Sequence, residues 1–393
     1  MDVDVAIVGA GLVGAGLAVA LCHADLKLAL IEPSPPAAPG LKWDPRIYAL
    51  SPASVAFIRC IGVWPRLDPG RVTPIHAIRV FGDDGCSRLD FSAYETGVLE
   101  LAATVESGRL QHALSNSLGA QRNLELLGGV PAQLVIGAER AEIRLERGDV
   151  VRARLVVGAD GANSWVRRAA GFEVSSRPYG ECGVVANFDC ARPHRNTAYQ
   201  WFREGGVLAY LPLPGDRVSI VWSTPDANVR ELLSLSADEL GRRVSAAGGQ
   251  MLGKLDLITP AAAFPLSLLS VRRMVQPRVV LIGDAAHVVH PLAGQGVNLG
   301  FGDAQVLAGL LRHAAPVVDT GDSLLLRRFE RARAEDILAM RWVTDGLHRL
   351  FGAGHPAGAK LRNFGLNLSN SMPVLRALLA RRAIGSIKPH KEQ

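Results

Sequence analysis

The residues best suited to chemistry lie in one stretch: Gly283-Asp284-Ala285-Ala286-His287-Val288-Val289-His290-Pro291-Leu292-Ala293-Gly294-Gln295-Gly296-Val297-Asn298. It follows the apolar run Val279-Val280-Leu281-Ile282, which reads as a parallel strand buried on both faces. After Gly294, the residues Val297, Phe301, Ala304, Ala308 and Leu311 recur at helical spacing. The order is therefore strand, polar loop, helix. Asp284 stands at a strand C-terminus, where open α/β sheets bind ligands. The glycine-rich turn stands at a helix N-terminus, which offers free N–H groups and a positive dipole end. This pairing suits a ligand with a hydroxylated chain beside Asp284. It also suits a partly negative ring beside Gly294, Gln295, Gly296, Val297 and Asn298. A flavin has both: a ribityl chain, and an isoalloxazine ring that becomes anionic when reduced.

A second glycine cluster opens the chain. Val3-Asp4-Val5-Ala6-Ile7-Val8 reads as a strand, Gly9-Ala10-Gly11-Leu12-Val13-Gly14 follows at once, and a helix continues to about residue 24. A second strand over 27–31 ends on Glu32. A lone G-x-G-x-x-G is weak, but this one sits between strand and helix with an acid about 20 residues on, the full dinucleotide fingerprint. Gly9, Gly11 and Gly14 let the backbone approach a pyrophosphate. Glu32 takes ribose hydroxyls and favours FAD or NAD over NADP, whose 2′-phosphate it repels. A third strand-and-turn element is Gly158-Ala159-Asp160-Gly161-Ala162-Asn163-Ser164-Trp165-Val166-Arg167. Two cations can reach a phosphate or the ring: Arg46, at the end of a Pro-rich loop over 33–45, and Arg109, in the first turn of a helix over 107–118. Ser51 is a plausible N-cap for a helix through 53–61.

From about residue 177 the pattern turns to all-β, with strands over 183–188, 198–203, 207–211 and 218–223, and an alternation at 218–223 that buries one face more than the other. Further strands are expected over 75–81, 87–91, 136–145 and 150–157, and helices near 237–247 and from 325 onward. Tyr199, Trp201, Tyr210 and Trp222 can line an aromatic substrate pocket or simply pack within the sheet. His287 and His290 invite a general-base reading; the plainer one is that they shape the loop.

Hydrophobic content of 48% and 41 glycines fit an α/β enzyme with many tight turns. The five cysteines, Cys22, Cys60, Cys86, Cys182 and Cys190, form no C-x-x-C pair and no zinc spacing, so reduced thiols and no metal site are expected. The apolar run over 5–22 contains four glycines and follows Asp2 and Asp4, which argues against a signal or membrane span. The net charge of +6 is mild. The chain's end is more basic: Arg376, Arg381, Arg382, Lys388 and Lys391 against Glu392, with Leu375, Leu378, Leu379 and Ile384 between them. Such a segment can touch an anionic membrane surface, or it is a solvated helix with a frayed tail. A cytoplasmic protein, peripheral at most to the inner face of the membrane, is expected. Nucleic-acid binding is not, because no aromatic platform accompanies the basic residues.

In their order and spacing these three motifs resemble the class A flavoprotein monooxygenases, the para-hydroxybenzoate hydroxylase superfamily. The third motif extends the likeness through His-Pro-x-Ala-Gly-Gln-Gly-x-Asn. More narrowly, Asp44-Pro45-Arg46, Ala49-Leu50-Ser51, Leu211-Pro212-Leu213, Ser219-Ile220-Val221-Trp222 and Arg362-Asn363-Phe364-Gly365-Leu366 are similar to signatures of the ubiquinone-biosynthesis hydroxylases. One departure is that Val105-Glu106-Ser107-Gly108-Arg109 stands where that family often has Val-Glu-Asn-Arg.

The resemblance implies an α/β fold with a Rossmann-like FAD-binding domain of the para-hydroxybenzoate hydroxylase type. An antiparallel substrate sheet is inserted into it, and helices follow. The implied division is 1–73, 99–176 and 265–340 for FAD, 74–98 and 177–264 for substrate, and 341–393 for the C-terminal helical region. It implies that Asp284 binds the ribityl chain, that Asp160 and Gly161 serve FAD and passing NAD(P)H, and that the backbone from Pro291 to Asn298 lines the ring. Val130 joins the cofactor contacts, and His290 and Pro291 lie nearest the reaction. The implied reaction is ring hydroxylation of a lipid-tailed phenol or quinol through a flavin C4a-hydroperoxide. NAD(P)H or another electron donor supplies the reducing power, and other quinone-biosynthesis proteins are candidate partners. The rival readings are a hydroxylase of small soluble aromatics and a non-catalytic flavin-binding member of a biosynthetic complex.

Overall fold

The computed structural model describes residues 1–352, apart from 35, 85–86, 120, 204–205, 290–295 and 315–317. Short runs of β-branched and leucine residues build the first sheet. Its order is Val275–Gln276, Val279–Leu281, Val150–Gly158, Asp2–Val8, Leu28–Ile31 and Leu124–Leu127. The last five strands are mutually parallel. Val5, Ala6, Ile7, Leu155, Val156, Val157, Val279 and Val280 are fully buried, as the uninterrupted apolar runs require. Each such aliphatic side chain contributes about 1.5–3 kcal/mol of burial.

Register places the function. Val8 pairs with Gly158 and with Ile31, and Gly158 pairs with Leu281. Four strands thus end at one level, and the segments beginning at Gly9, Glu32, Ala159 and Ile282 leave the same sheet edge side by side. Adjacent strands lie about 4.8 Å apart, so motifs separated by more than a hundred residues become neighbours.

Two helices seal this edge. Leu12–Ala20 crosses Gly296–Ala314 so closely that a Cβ on Gly300 would stand 2.5 Å from Val13 Cγ2. Pro52–Cys60 starts on Ser51, whose hydroxyl accepts from the Ser54 N–H as its N-cap. The long helix Ser323–Gly352 then runs over the outside, with Leu325, Leu326 and Phe329 in the core.

The second sheet is largely antiparallel, in the order His287–Val288, Ala262–Val271, Val174–Cys190, Arg217–Pro225, Gly206–Leu213, Thr197–Arg203, Ala77–Phe81 and Arg88–Ser92. Helices Asp226–Ser234 and Ala237–Ala247 cover one face. The other face meets a three-stranded sheet of Ile47–Leu50, Ala102–Glu106 and Thr73–Ile75.

The helices over 107–118 and 237–247 and the strand from 150 form where expected. Three expectations change. The segment over 136–145 is the hairpin Pro131–Ile136 and Ala141–Leu145 rather than one strand. The strand expected over 183–188 is the 17-residue Val174–Cys190. Strand Ala262–Val271 runs through the expected boundary at 264/265 and belongs to the second sheet, because both its halves pair with Val174–Cys190. The expected C-terminal helical region beyond residue 352, with its basic segment and the Arg362–Leu366 signature, lies outside the described residues.

Candidate functional site

The fingerprint loop combines close packing with one deliberate opening. Gly9 holds φ +100°, and a Cβ there would come within 2.6 Å of the Ala159 carbonyl oxygen. A Cβ on Gly14 would lie 2.0 Å from the Gly9 carbonyl oxygen. Gly11 differs: it is the N-cap of Leu12–Ala20, and a Cβ there meets no protein atom within 4 Å. Open space at a helix N-terminus, bounded by backbone N–H groups, is what a pyrophosphate needs. Beside it, Glu32 accepts from Ala10 N at 2.8 Å and from Ser34 N at 3.2 Å. A carboxylate has about four acceptor sites, so Glu32 steadies the loop and still has capacity for ribose hydroxyls. Val130 lies beyond Leu124–Leu127 at the same edge, its side chain exposed.

Asp284 follows Gly283, whose φ is +60° and whose neighbour is Val13. A Cβ placed on Gly296, at the start of the 19-residue helix, would stand 4.0 Å from Asp284 Oδ1. The acid and the helix N-terminus thus flank one space. Asp284 is exposed at the mouth of the site. Even so, crowding by protein raises its carboxyl above the ordinary value, while His287 and Arg46 pull it down. Arg46 lies over the Phe264 ring at 5.3 Å, between Asp284 and the second sheet.

Other expected contact residues have partners within the protein. The Asp160 carboxylate accepts from Ser164 Oγ at 2.5 Å, Trp165 N at 2.6 Å and Val166 N at 3.0 Å. It therefore anchors the following helical turn, and open backbone at the site falls to Gly161, at φ +78° with nothing near a Cβ. Arg109 Nε donates to Glu106 at 2.9 Å. Glu106 is 1% exposed and also pairs with Arg71, so both cations neutralise a buried acid. Asn298 uses its side chain elsewhere, accepting from Ser51 N and donating to the Ala49 carbonyl, both at 2.9 Å. Among the described residues of this stretch, the first-turn backbone of Gly296, Val297 and Asn298 stays available to a cofactor. His290, Pro291, Gly294 and Gln295 lie outside the described residues.

The aromatic candidates also change role. Tyr199, Trp201 and Tyr210 are buried on the face covered by helices Asp226–Ser234 and Ala237–Ala247, and Trp222 packs against the same cluster. Tyr210 stacks edge-on against Trp201 and donates its hydroxyl to the Val244 carbonyl at 2.7 Å. Alternation along each strand sends these side chains away from the nucleotide module. Tyr210→Phe is expected to cost about 1–3 kcal/mol, from the orphaned Val244 carbonyl. Substrate KM should be unchanged; thermal melts and steady-state kinetics check both.

Three groups make contacts that the sequence did not indicate, although Arg167 and Asp44 lie within motifs named above. Arg167, 7% exposed, donates to the Ala285 carbonyl at 2.9 Å and the Ala162 carbonyl at 2.7 Å, tying the second motif to the third. Asp44 accepts from Arg46 N and Gly108 N, and its carbonyl accepts from Asn187 of the second sheet. Asp303 is fully buried beneath Gly283. Only Asp303 carried a signal, as an acid on the core-facing side of an otherwise apolar helix.

The geometry therefore sets Glu32, Gly11 and Asp284 side by side along one sheet edge, with open space at Gly11. The FAD binding domain family matches this chain over residues 2–341. The chain belongs to this family of class A flavoprotein monooxygenases, and within it to the ubiquinone-biosynthesis hydroxylases. Among its relatives is "Ubiquinone hydroxylase UbiL" of Rhodospirillum rubrum, 36% identical over 397 residues, with 98% of this chain and 90% of that one covered. The 3-demethoxyubiquinol 3-hydroxylase of Escherichia coli is 33% identical over 390 residues, covering 97% and 98%. Among solved structures, Pseudomonas aeruginosa PqsL with 2-aminobenzoylacetate superposes with a TM-score of 0.77 at 24% identity, over 93% of this chain and 99% of that one. Klebsiella pneumoniae HpxO with FAD and uric acid gives 0.74 at 18% identity, over 96% and 97%. At those identities the two structures speak for the fold alone. For this flavoprotein monooxygenase the residues fit FAD: an open cradle at Gly11, an acid for the ribose at Glu32, and an acid beside a helix N-terminus at Asp284.

Proposed function

We propose that this flavoprotein hydroxylates the aromatic ring of a prenylated phenol or quinol on the route to ubiquinone, with NAD(P)H as the reductant. The observation that carries the reading is full-length likeness to ubiquinone hydroxylases, which includes the second sheet as well as the nucleotide module. When bound, FAD supplies the hydride acceptance and the oxygen activation. The chain's own residues then have three tasks. Gly9, Gly11, Gly14, Glu32 and Asp284 hold the cofactor extended. The N–H groups of Gly296, Val297 and Asn298 stabilise negative charge on the ring edge beside them. Arg46, Phe264 and Gly183, where a Cβ would meet the Phe264 ring at 3.0 Å, wall the space between Asp284 and the second sheet. The substrate ring is assigned to that space.

Membrane contact through the basic C-terminal segment belongs to the same proposal, as a way for a lipid-tailed substrate to reach the site. None of the described helices is long and apolar enough to cross a membrane.

The test has two parts. Purified protein should bind FAD and consume NAD(P)H when a prenylated phenol is added, and mass spectrometry of cells lacking the protein should show a quinone precursor one oxygen short. Rapid turnover of small unprenylated phenols with normal quinone pools would replace this reading by the soluble-aromatic one.

A further inference from the structure

Asp303 lies on helix Gly296–Ala314 with no solvent exposure and accepts three hydrogen bonds. Gly283 N reaches Oδ2 at 2.9 Å, His287 Nε2 reaches the same oxygen at 2.7 Å, and Arg333 Nε reaches Oδ1 at 2.8 Å. The three donors come from three places. Gly283 is the residue before Asp284. His287 starts the two-residue strand that pairs with Leu269 and Ser270 at the edge of the second sheet. Arg333 is on Ser323–Gly352, 5% exposed, and also donates to the Leu299 carbonyl at 3.2 Å. Space for it is left by Gly302, where a Cβ would stand 2.8 Å from the guanidinium.

Burial opposes ionisation of Asp303, but His287 and Arg333 outweigh it and hold the carboxyl below its ordinary value. An ionised Asp303 is acceptor-only, so His287 carries its proton on Nε2. His287 is 3% exposed and its Nε2 is committed to Asp303.

We infer that Asp303 is a positioning residue for the flavin pocket: with Arg333 and His287 it clamps the turn carrying Asp284 to the second sheet and to the long C-terminal helix. The clamp rests on the flavin assignment of the groove and not on the identity of the substrate. Its consequence is that a residue about fifty positions after Asp284, with no place in the groove, sets how well the groove receives FAD.

The experiment is a double-mutant cycle on apoprotein, with two readouts: FAD affinity by fluorescence titration, and the melting temperature without FAD. Asp303→Asn leaves Arg333 with only Asp336 and the Leu299 carbonyl, and Arg333→Gln leaves Asp303 with only His287 and Gly283 N, so both weaken the buried ion pair and should melt lower and bind FAD more weakly by roughly tenfold to a hundredfold. The double variant removes both charges together. Its melting temperature should recover toward wild type, while its FAD affinity stays as weak as that of the poorer single variant, because the Gly283 turn is still unclamped. Arg333→Lys should keep most of the affinity. Affinity within twofold of wild type in the singles, or affinity that recovers in step with the melting temperature, overturns the inference. If the singles fail to accumulate, amide exchange in wild-type apoprotein decides: Gly283 protected like the core strands supports the clamp, and Gly283 exchanging like a surface loop removes it. Wild-type protein that binds no FAD would instead overturn the flavin assignment itself.

Discussion

Gly11→Ala is expected to leave the apoprotein's melting temperature within about 2 °C of wild type and yet weaken FAD binding by roughly tenfold to a hundredfold. The backbone there, φ −62° and ψ −179°, is open to alanine, and a Cβ meets no protein atom within 4 Å. Alanine is the poorer N-cap, but it also has the less disordered unfolded chain, and the two effects largely offset. The added methyl therefore has one place to go, the space assigned to the pyrophosphate. Gly14→Ala is the contrast. Its Cβ falls 2.0 Å from the Gly9 carbonyl oxygen, inside any permissible contact. The first helix must shift away from the loop, at a cost of about 3 kcal/mol or more. Its apoprotein should melt several degrees lower and bind no measurable FAD. Paired titrations and apo melts separate the two cases. Equal stability losses in both variants would mean that Gly11 is packed against protein and that the cradle is not there.

The second large effect is at Asp284. Asp284→Asn should weaken FAD binding by about tenfold to a hundredfold, since a charged acceptor for the ribityl hydroxyls is worth more than a neutral one. Its effect on the apoprotein runs the other way. Crowding by surrounding protein raises the folded carboxyl above its unfolded value despite its exposed edge, so ionised Asp284 slightly destabilises the apo fold at neutral pH. The wild-type apoprotein gains stability from this group as pH falls through the raised pKa, and loses it as pH rises. Asp284→Asn should therefore melt slightly higher than wild type at pH 7, with the difference closing as pH is lowered. Water at the exposed edge of Asp284 keeps that gain small. Asp303 has the opposite sign: its pKa is lowered, so its stabilisation is present above the ordinary carboxylate range and is lost as pH falls through the folded value. Apo melts across pH 3–8 for wild type and Asp284→Asn check both directions. A lower melting temperature for Asp284→Asn at neutral pH would show that the acid stabilises the apo fold, and would contradict its placement as a carboxylate held in reserve for the cofactor.

The features readable from the chain alone were those with local causes. Glycine clusters between an apolar run and a helix pattern mark turns that only glycine can make, so Gly9, Gly14 and Gly283 declare themselves before any fold is known. An acid at a strand end, as at Glu32 and Asp284, is legible for the same reason. Helix Ser107–Leu118 and the Ser51 cap follow from periodicity and capping chemistry over a few residues. What stayed hidden was which partner each polar group takes, near or far in sequence. Nothing near Asp160 announces that its carboxylate turns toward Trp165 N and Val166 N, or that Arg109 is needed to neutralise Glu106. The alternation at 218–223 shows that the strand has two faces, but not which face the helices Asp226–Ser234 and Ala237–Ala247 cover, so the aromatics stay open between pocket and packing until the fold decides for packing. Asp303 meets Arg333 across thirty residues and Asn298 meets Ala49 across 249. Spacing along a chain specifies φ, ψ and periodicity. The partner of a buried charge is chosen only when packing excludes water and leaves it a single donor or acceptor within reach.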